Sequence, residues 1–132
     1  MRRSGMEPHN IPAVLKDLPE LNITAATTEA DAIDAMRVIA SFNQCMVGVV
    51  RFAGETPWER HPDDELLHVL EGAVDVTVLT DTAAVETTVR AGSTFIVPGG
   101  LWHRQMPRPN VALMFITSKD GNEASTADDP RR

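Results

Sequence analysis

The sequence predicts an all-β fold, a closed barrel or double-sheet jelly roll, with short helical segments at its N-terminal end. Two observations carry this. Short runs of alternating apolar and polar residues recur from Met36 to Ser118, and clusters of Gly, Pro, Asn and Asp separate them. Histidines and acids are also concentrated in two separated segments, Trp58 to Gly72 and Gly92 to His103, where strands would carry them to one place.

Residues 1–10 are polar and expected to be disordered. Ile11 to Leu18 reads as a short helical turn with Val14, Leu15 and Leu18 on its apolar side, and Leu21 to Thr27 as a short edge strand. Thr28 offers an N-cap for a brief helix over Ala30 to Ala35. From Met36 the period becomes two, with Met36, Val38, Ala40 and Phe42 alternating against Arg37, Ile39 and Ser41. Asn43-Gln44 then makes a hairpin turn into a strand from Cys45 to Ala53. Further strands are expected at Leu66–Leu70, Val74–Thr80, Val85–Arg90, Thr94–Val97, Trp102–Met106 and Val111–Ser118. Turns at Gly72, Asp81-Thr82, Ala91-Gly92, Pro98-Gly99-Gly100 and Pro107 to Asn110 separate them. Residues 11–118 thus form one barrel domain, and residues 119–132 read as a solvated, disordered tail.

The chain has 132 residues, enough for one domain with a real core. Its 12 Lys and Arg against 19 Asp and Glu leave a net charge of −7, which disfavours contact with nucleic acid. No apolar run approaches the ~20 residues of a membrane span, no basic amphipathic segment suits a membrane surface, and the basic start has no apolar stretch behind it. The single cysteine, Cys45, excludes an intrachain disulfide, so a cytoplasmic location is expected.

Glu59 and His61 are two apart, so a strand would point both the same way; Glu65 opens the next strand after an Asp-rich turn, and His103 follows the Pro-Gly-Gly turn. Two imidazoles with one or two carboxylates suit a divalent transition ion, Fe, Mn, Ni or Zn, expected at one per chain. Glu59, His61, Glu65 and His103 are therefore the candidate ligands, with Glu59 also a candidate base. Gln105 shares the parity of His103 and is a candidate for orienting substrate. His68 is an odd step from Glu65 and points to the other face. Trp58 and Trp102 have the wrong parity for the site, Asp63 and Asp64 belong to a turn, and Arg51 and Arg104 read as surface cations. His9 reads as solvated, and Cys45 as a small buried residue. No glycine-rich phosphate loop, Gly-x-Ser-x-Gly elbow or Cys-x-x-Cys is present.

Gly54, His61, Glu65 and Gly72, followed by Gly92, Pro98, Gly100 and His103, are spaced as in the two motifs of the cupin superfamily, which this chain resembles. Glu59 stands where that family's first motif has another His, and Pro107 where its second has Asn. The resemblance implies a small single-domain cupin, a double-stranded β-helix with its metal-site core at residues 54–107. It also implies a small-molecule ligand and a homodimer. Apolar residues on both faces of Met46-Val47-Gly48-Val49-Val50 agree with a segment covered on both sides. The expected function is a metal-dependent enzyme, of dioxygenase, isomerase or lyase type, acting on a small oxygenated metabolite. The alternative is a non-catalytic module that binds or senses a small molecule or metal.

Overall fold

The computed structural model describes residues 6–132; the first five residues of the expected disordered N-terminus lie outside it. Two short helices and nine strands follow one another: α1 (Ile11–Lys16), β1 (Leu21–Asn22), α2 (Glu29–Ala35), β2 (Arg37–Phe42), β3 (Cys45–Ala53), β4 (Trp58–Arg60), β5 (Glu65–Leu79), β6 (Ala84–Arg90), β7 (Thr94–Val97), β8 (His103–Ser118) and β9 (Glu123–Ser125). The architecture is the all-β jelly roll expected of the sequence. No helix among the described residues is long and apolar enough to cross a membrane.

β5 and β8 organise the sheet. The first half of β8 pairs antiparallel with the second half of β5, from Val74↔Pro107 to Val78↔His103, and its second half with the start of β5, from Leu66↔Ile116 to Val69↔Leu113. β3 lies on the other side of β8, and β6 and β7 pair with β5. Each long strand was expected as two short ones. Gly72 and the segment from Pro107 to Asn110 bend the chain without ending its pairing, and the register shifts between Val69 and Val74 absorb the bend. Gly72 has φ 77°, a conformation that other residues rarely adopt, so the turn signal there is real although no turn forms.

Inward-facing side chains build the core, with Phe52, Leu67, Val69, Val74, Val76, Leu113 and Phe115 all buried. A second cluster lies on the outer face, where Leu15 and Leu18 cover Val49 and Ala112. α1 therefore supplies the second cover that the two-sided apolar pattern of β3 requires at Val49. Two further expectations change. β1 is only two residues long, because the Thr27 amide turns back to the Thr24 carbonyl and the Thr24 amide to Thr27 Oγ1. The alternation of β2 breaks between Val38 and Ala40, leaving Val38 50% and Phe42 60% exposed while Ile39 packs under α1.

The stretch after Lys119, expected as a disordered tail, forms β9. It pairs with β4 through Trp58↔Ser125, Glu59↔Ala124 and Arg60↔Glu123. Three-residue β4 pairs with β8 on one side only, and the polar tail satisfies the amides and carbonyls of its other edge without needing an apolar signal of its own.

Candidate metal centre

Two loops bring the motif segments together. The Gly100 amide donates to the His61 carbonyl at 2.8 Å, and the Gly99 amide to Asp64 Oδ1 at 2.7 Å. The backbones approach so closely that a Cβ on Gly99 would lie 2.6 Å from the Pro62 carbonyl oxygen. Asp63 accepts hydrogen bonds from Gln44 Nε2 at 2.8 Å and Ser118 Oγ at 2.7 Å. Those bonds hold its carboxyl below the usual carboxylate range. The acidic pair thus anchors the turn between ligand strands.

His61, Glu65 and His103 are all buried. One ligand atom from each lies within 4.8 Å of the others. The two imidazole centroids are 5.1 Å apart, with the rings tilted by 55°. His103 Nε2 is 3.1 Å from Glu65 Oε1, and His61 Nε2 is 3.7 Å from Glu65 Oε2. The opposite ring nitrogens face acceptors: His61 Nδ1 meets Asn122 Oδ1 at 2.8 Å and His103 Nδ1 meets the Leu101 carbonyl at 3.4 Å. Asn122 cannot usefully turn its amide around, because its Nδ2 donates to the Ser118 carbonyl at 2.9 Å.

With each Nδ1–H donating outward, a neutral imidazole carries its lone pair on Nε2. Two lone pairs and a carboxylate then converge, and such an arrangement is stable only with a cation or shared proton between them. Donor atoms held by one ion at about 2.0–2.2 Å stand roughly 3.0–3.6 Å apart. The 3.1 and 3.7 Å separations are close to that spacing, and two imidazoles with one carboxylate suit a divalent transition ion. Burial opposes a charged His103, but the hydrogen bond and charge of Glu65, joined by Glu59, outweigh it and raise the imidazole above its ordinary value.

Glu59 lies directly across the β4–β8 pair from His103, outside the three-residue cluster, and lines a cavity with His61 and Glu65. Burial first, then the charge of Glu65, pushes its carboxyl up to about 7. The cavity has a volume of about 310 Å³ and both polar and apolar side chains line it. Glu59, His61, Glu65, Gln105 and Thr117 are among its polar lining, Ile23, Met46, Phe52 and Leu113 among its apolar lining, and α2 flanks it with Ala32 and Ile33. Gln105 Oε1 and Thr117 Oγ1 are buried there without a hydrogen-bond partner among the described residues. Each unpaired group of this kind costs about 1–3 kcal/mol, which a ligand's polar atoms would offset.

His9, His68, Arg51, Arg104 and Cys45 lie outside this cavity's lining. His68 faces away and pairs its Nδ1 with Thr94 Oγ1 at 2.8 Å. His9 is exposed. Arg104 stacks over Trp58 at 4.2 Å, Arg60 over Trp102 at 4.5 Å, and Arg51 pairs with Glu71 at 2.8 Å. Cys45 is buried, and burial pushes its thiol up. Among the methionines, Met46 lines the cavity, Met106 is 45% exposed and Met114 packs against the cluster under α1. Sequence reasoning missed Thr117 and Asn122. Thr117 shares the parity of Leu113 and Phe115 and was findable on that ground; Asn122 sits in a polar run with no periodic signal.

The Cupin domain family profile matches residues 48–106. Acireductone dioxygenase of Rhodopseudomonas palustris (strain TIE-1) is 31% identical over 131 residues, spanning 90% of this chain and 79% of that protein. An uncharacterised protein, YdbB, of Bacillus subtilis (strain 168) is 36% identical over 111 residues, spanning 83% of this chain and 95% of that protein. Among solved structures, a cupin-2 domain protein of Shewanella frigidimarina superposes with a TM-score of 0.54 at 26% identity, covering 71% of this chain and 95% of that one. With the jelly roll, both motifs and this level of identity in agreement, the chain belongs to the cupin superfamily.

Proposed function

We propose that this protein is a metal-dependent dioxygenase acting on a small molecule that is oxygenated at one end and apolar at the other. The observation that carries the reading is the convergence of the His61, Glu65 and His103 side chains beside a cavity that His61 and Glu65 line together with apolar residues. His61, Glu65 and His103 would hold the ion. When bound, a divalent transition ion supplies Lewis acidity and, if redox-active, electron exchange with dioxygen. Likeness to an acireductone dioxygenase supports this choice among cupin chemistries and makes an acireductone the first substrate to test.

The chain's own residues then divide the work. Glu59 lines the cavity from β4 and would take a proton from a substrate hydroxyl, a role that its position in the lining supports. Gln105 Oε1 and Thr117 Oγ1 offer acceptors that hold a hydroxylated head in one orientation. The apolar lining would seat the tail and exclude water.

Elemental analysis of the purified protein tests the site. About one transition ion per chain is expected, and changing His61 and His103 together to Ala is expected to remove it. Full retention of metal in that double variant overturns the assignment. Oxygen uptake with an acireductone tests the reaction: a ligand that raises the melting temperature yet is recovered unchanged, without oxygen uptake, favours the binding or sensing alternative.

A further inference from the structure

We infer that the C-terminal strap from Lys119 to Ser125 is part of the metal centre, and that Asn122 is a positioning residue which fixes the ring of His61 with Nε2 toward Glu65 and His103. This rests on the metal-site reading above. Asn122 Oδ1 is 2.8 Å from His61 Nδ1, while its Nδ2 donates to the Ser118 carbonyl at 2.9 Å. The second bond orients the amide, and the oriented amide presents only an acceptor to the imidazole. A neutral His61 must then carry its proton on Nδ1, leaving the Nε2 lone pair in the cavity.

The strap is itself held in place. β9 pairs with β4 beside the ligand-bearing residues, Arg60 forms an ion pair with Glu123, and the Lys119 amide donates to the Gln44 carbonyl at 3.1 Å. One segment therefore pairs with the strand that carries Glu59 and contacts the ring of His61. Asn122 is exposed, so without it water reaches Nδ1 and no longer favours one tautomer. The ordering of the ring is then lost from the free energy of metal binding.

Three measurements test this on full-length Asn122→Ala and Asn122→Asp variants. Nitrogen-15 NMR of the imidazoles in chelator-treated protein, at about pH 8.5, is expected to show His61 in the Nδ1–H form in the wild type. That preference should be lost in Asn122→Ala and kept in Asn122→Asp, which retains an acceptor. Zn(II) titrated against a chromophoric chelator is expected to bind Asn122→Ala about 10–100-fold more weakly, with Asn122→Asp closer to wild type. Melting temperatures of the chelator-treated proteins are expected to stay alike, which separates positioning from a loss of fold. An unchanged tautomer in Asn122→Ala, or unchanged Zn(II) affinity beside a wild type that binds, overturns the inference. A wild type that binds no metal but shows the Asn122-dependent tautomer overturns the metal reading and leaves the positioning role standing.

Discussion

One methyl group at position 99 would collide with the Pro62 carbonyl oxygen, so glycine there sets how closely the two ligand loops can approach. Gly99→Ala must push the Asp64 loop away, lengthening the bond from the Gly99 amide to Asp64 Oδ1 and disturbing His61 and Glu65 on either side. The expected cost is about 1–3 kcal/mol, read as a lower urea midpoint with an unchanged slope, together with weaker metal binding. At this scale the sequence is most legible where chemistry is local. His61, Glu65 and His103 declare themselves because few other side chains offer such donors, and period two places Glu59 and Gln105 beside them. Asn122 is illegible for the converse reason: an asparagine in a polar run is ordinary until a buried histidine is seen 2.8 Å away.

Among the elements, α2 is built from local chemistry alone. Thr28 Oγ1 accepts from the Asp31 amide at 3.1 Å and Asp31 Oδ2 from the Thr28 amide at 2.9 Å, a reciprocal cap. The helix has no buried residue, yet Ala32 and Ile33 flank the cavity. Thr28→Ala is expected to cost the helix about 1 kcal/mol. Because so little packing ties it down, the loss should appear as faster amide exchange confined to α2, with the global urea midpoint little changed. A drop in that midpoint as large as the local loss would show that α2 unfolds only with the barrel. The cap and the hairpin at Asn43 were readable because each is set by a few neighbouring residues. The continuity of β5 and β8 was not, since Gly72 and Pro107 carry turn signals that only partner strands can override.

Across the molecule, acid stability follows from carboxylates held by hydrogen bonds. Asp75 accepts from Thr88 Oγ1 at 2.6 Å and from Arg108 Nε at 2.8 and 2.9 Å, and these partners keep its carboxyl below the ordinary aspartate value. A lowered native value means that the unfolded chain binds more protons as the medium turns acid. The contribution of Asp75 is therefore fully present above the ordinary value, about 3.9, and is lost as pH falls through the lower native one. Asp75→Asn is expected to lose about 1 kcal/mol at pH 7, with the gap to wild type closing towards about pH 2. Urea denaturation at both pH values checks the sign; a gap that widens on acidification contradicts it.

The all-β class, the helix cap and the residue types able to hold a metal are written in the amino-acid order, because propensity, period and donor chemistry act over a few residues. Long-range packing alone settles that four expected strands run as two, that α1 covers β3, and that a polar tail pairs with β4 and sets Asn122 against His61. Those outcomes depend on which distant segments satisfy each other's backbone and side-chain hydrogen bonds, and chain order alone does not specify that pairing.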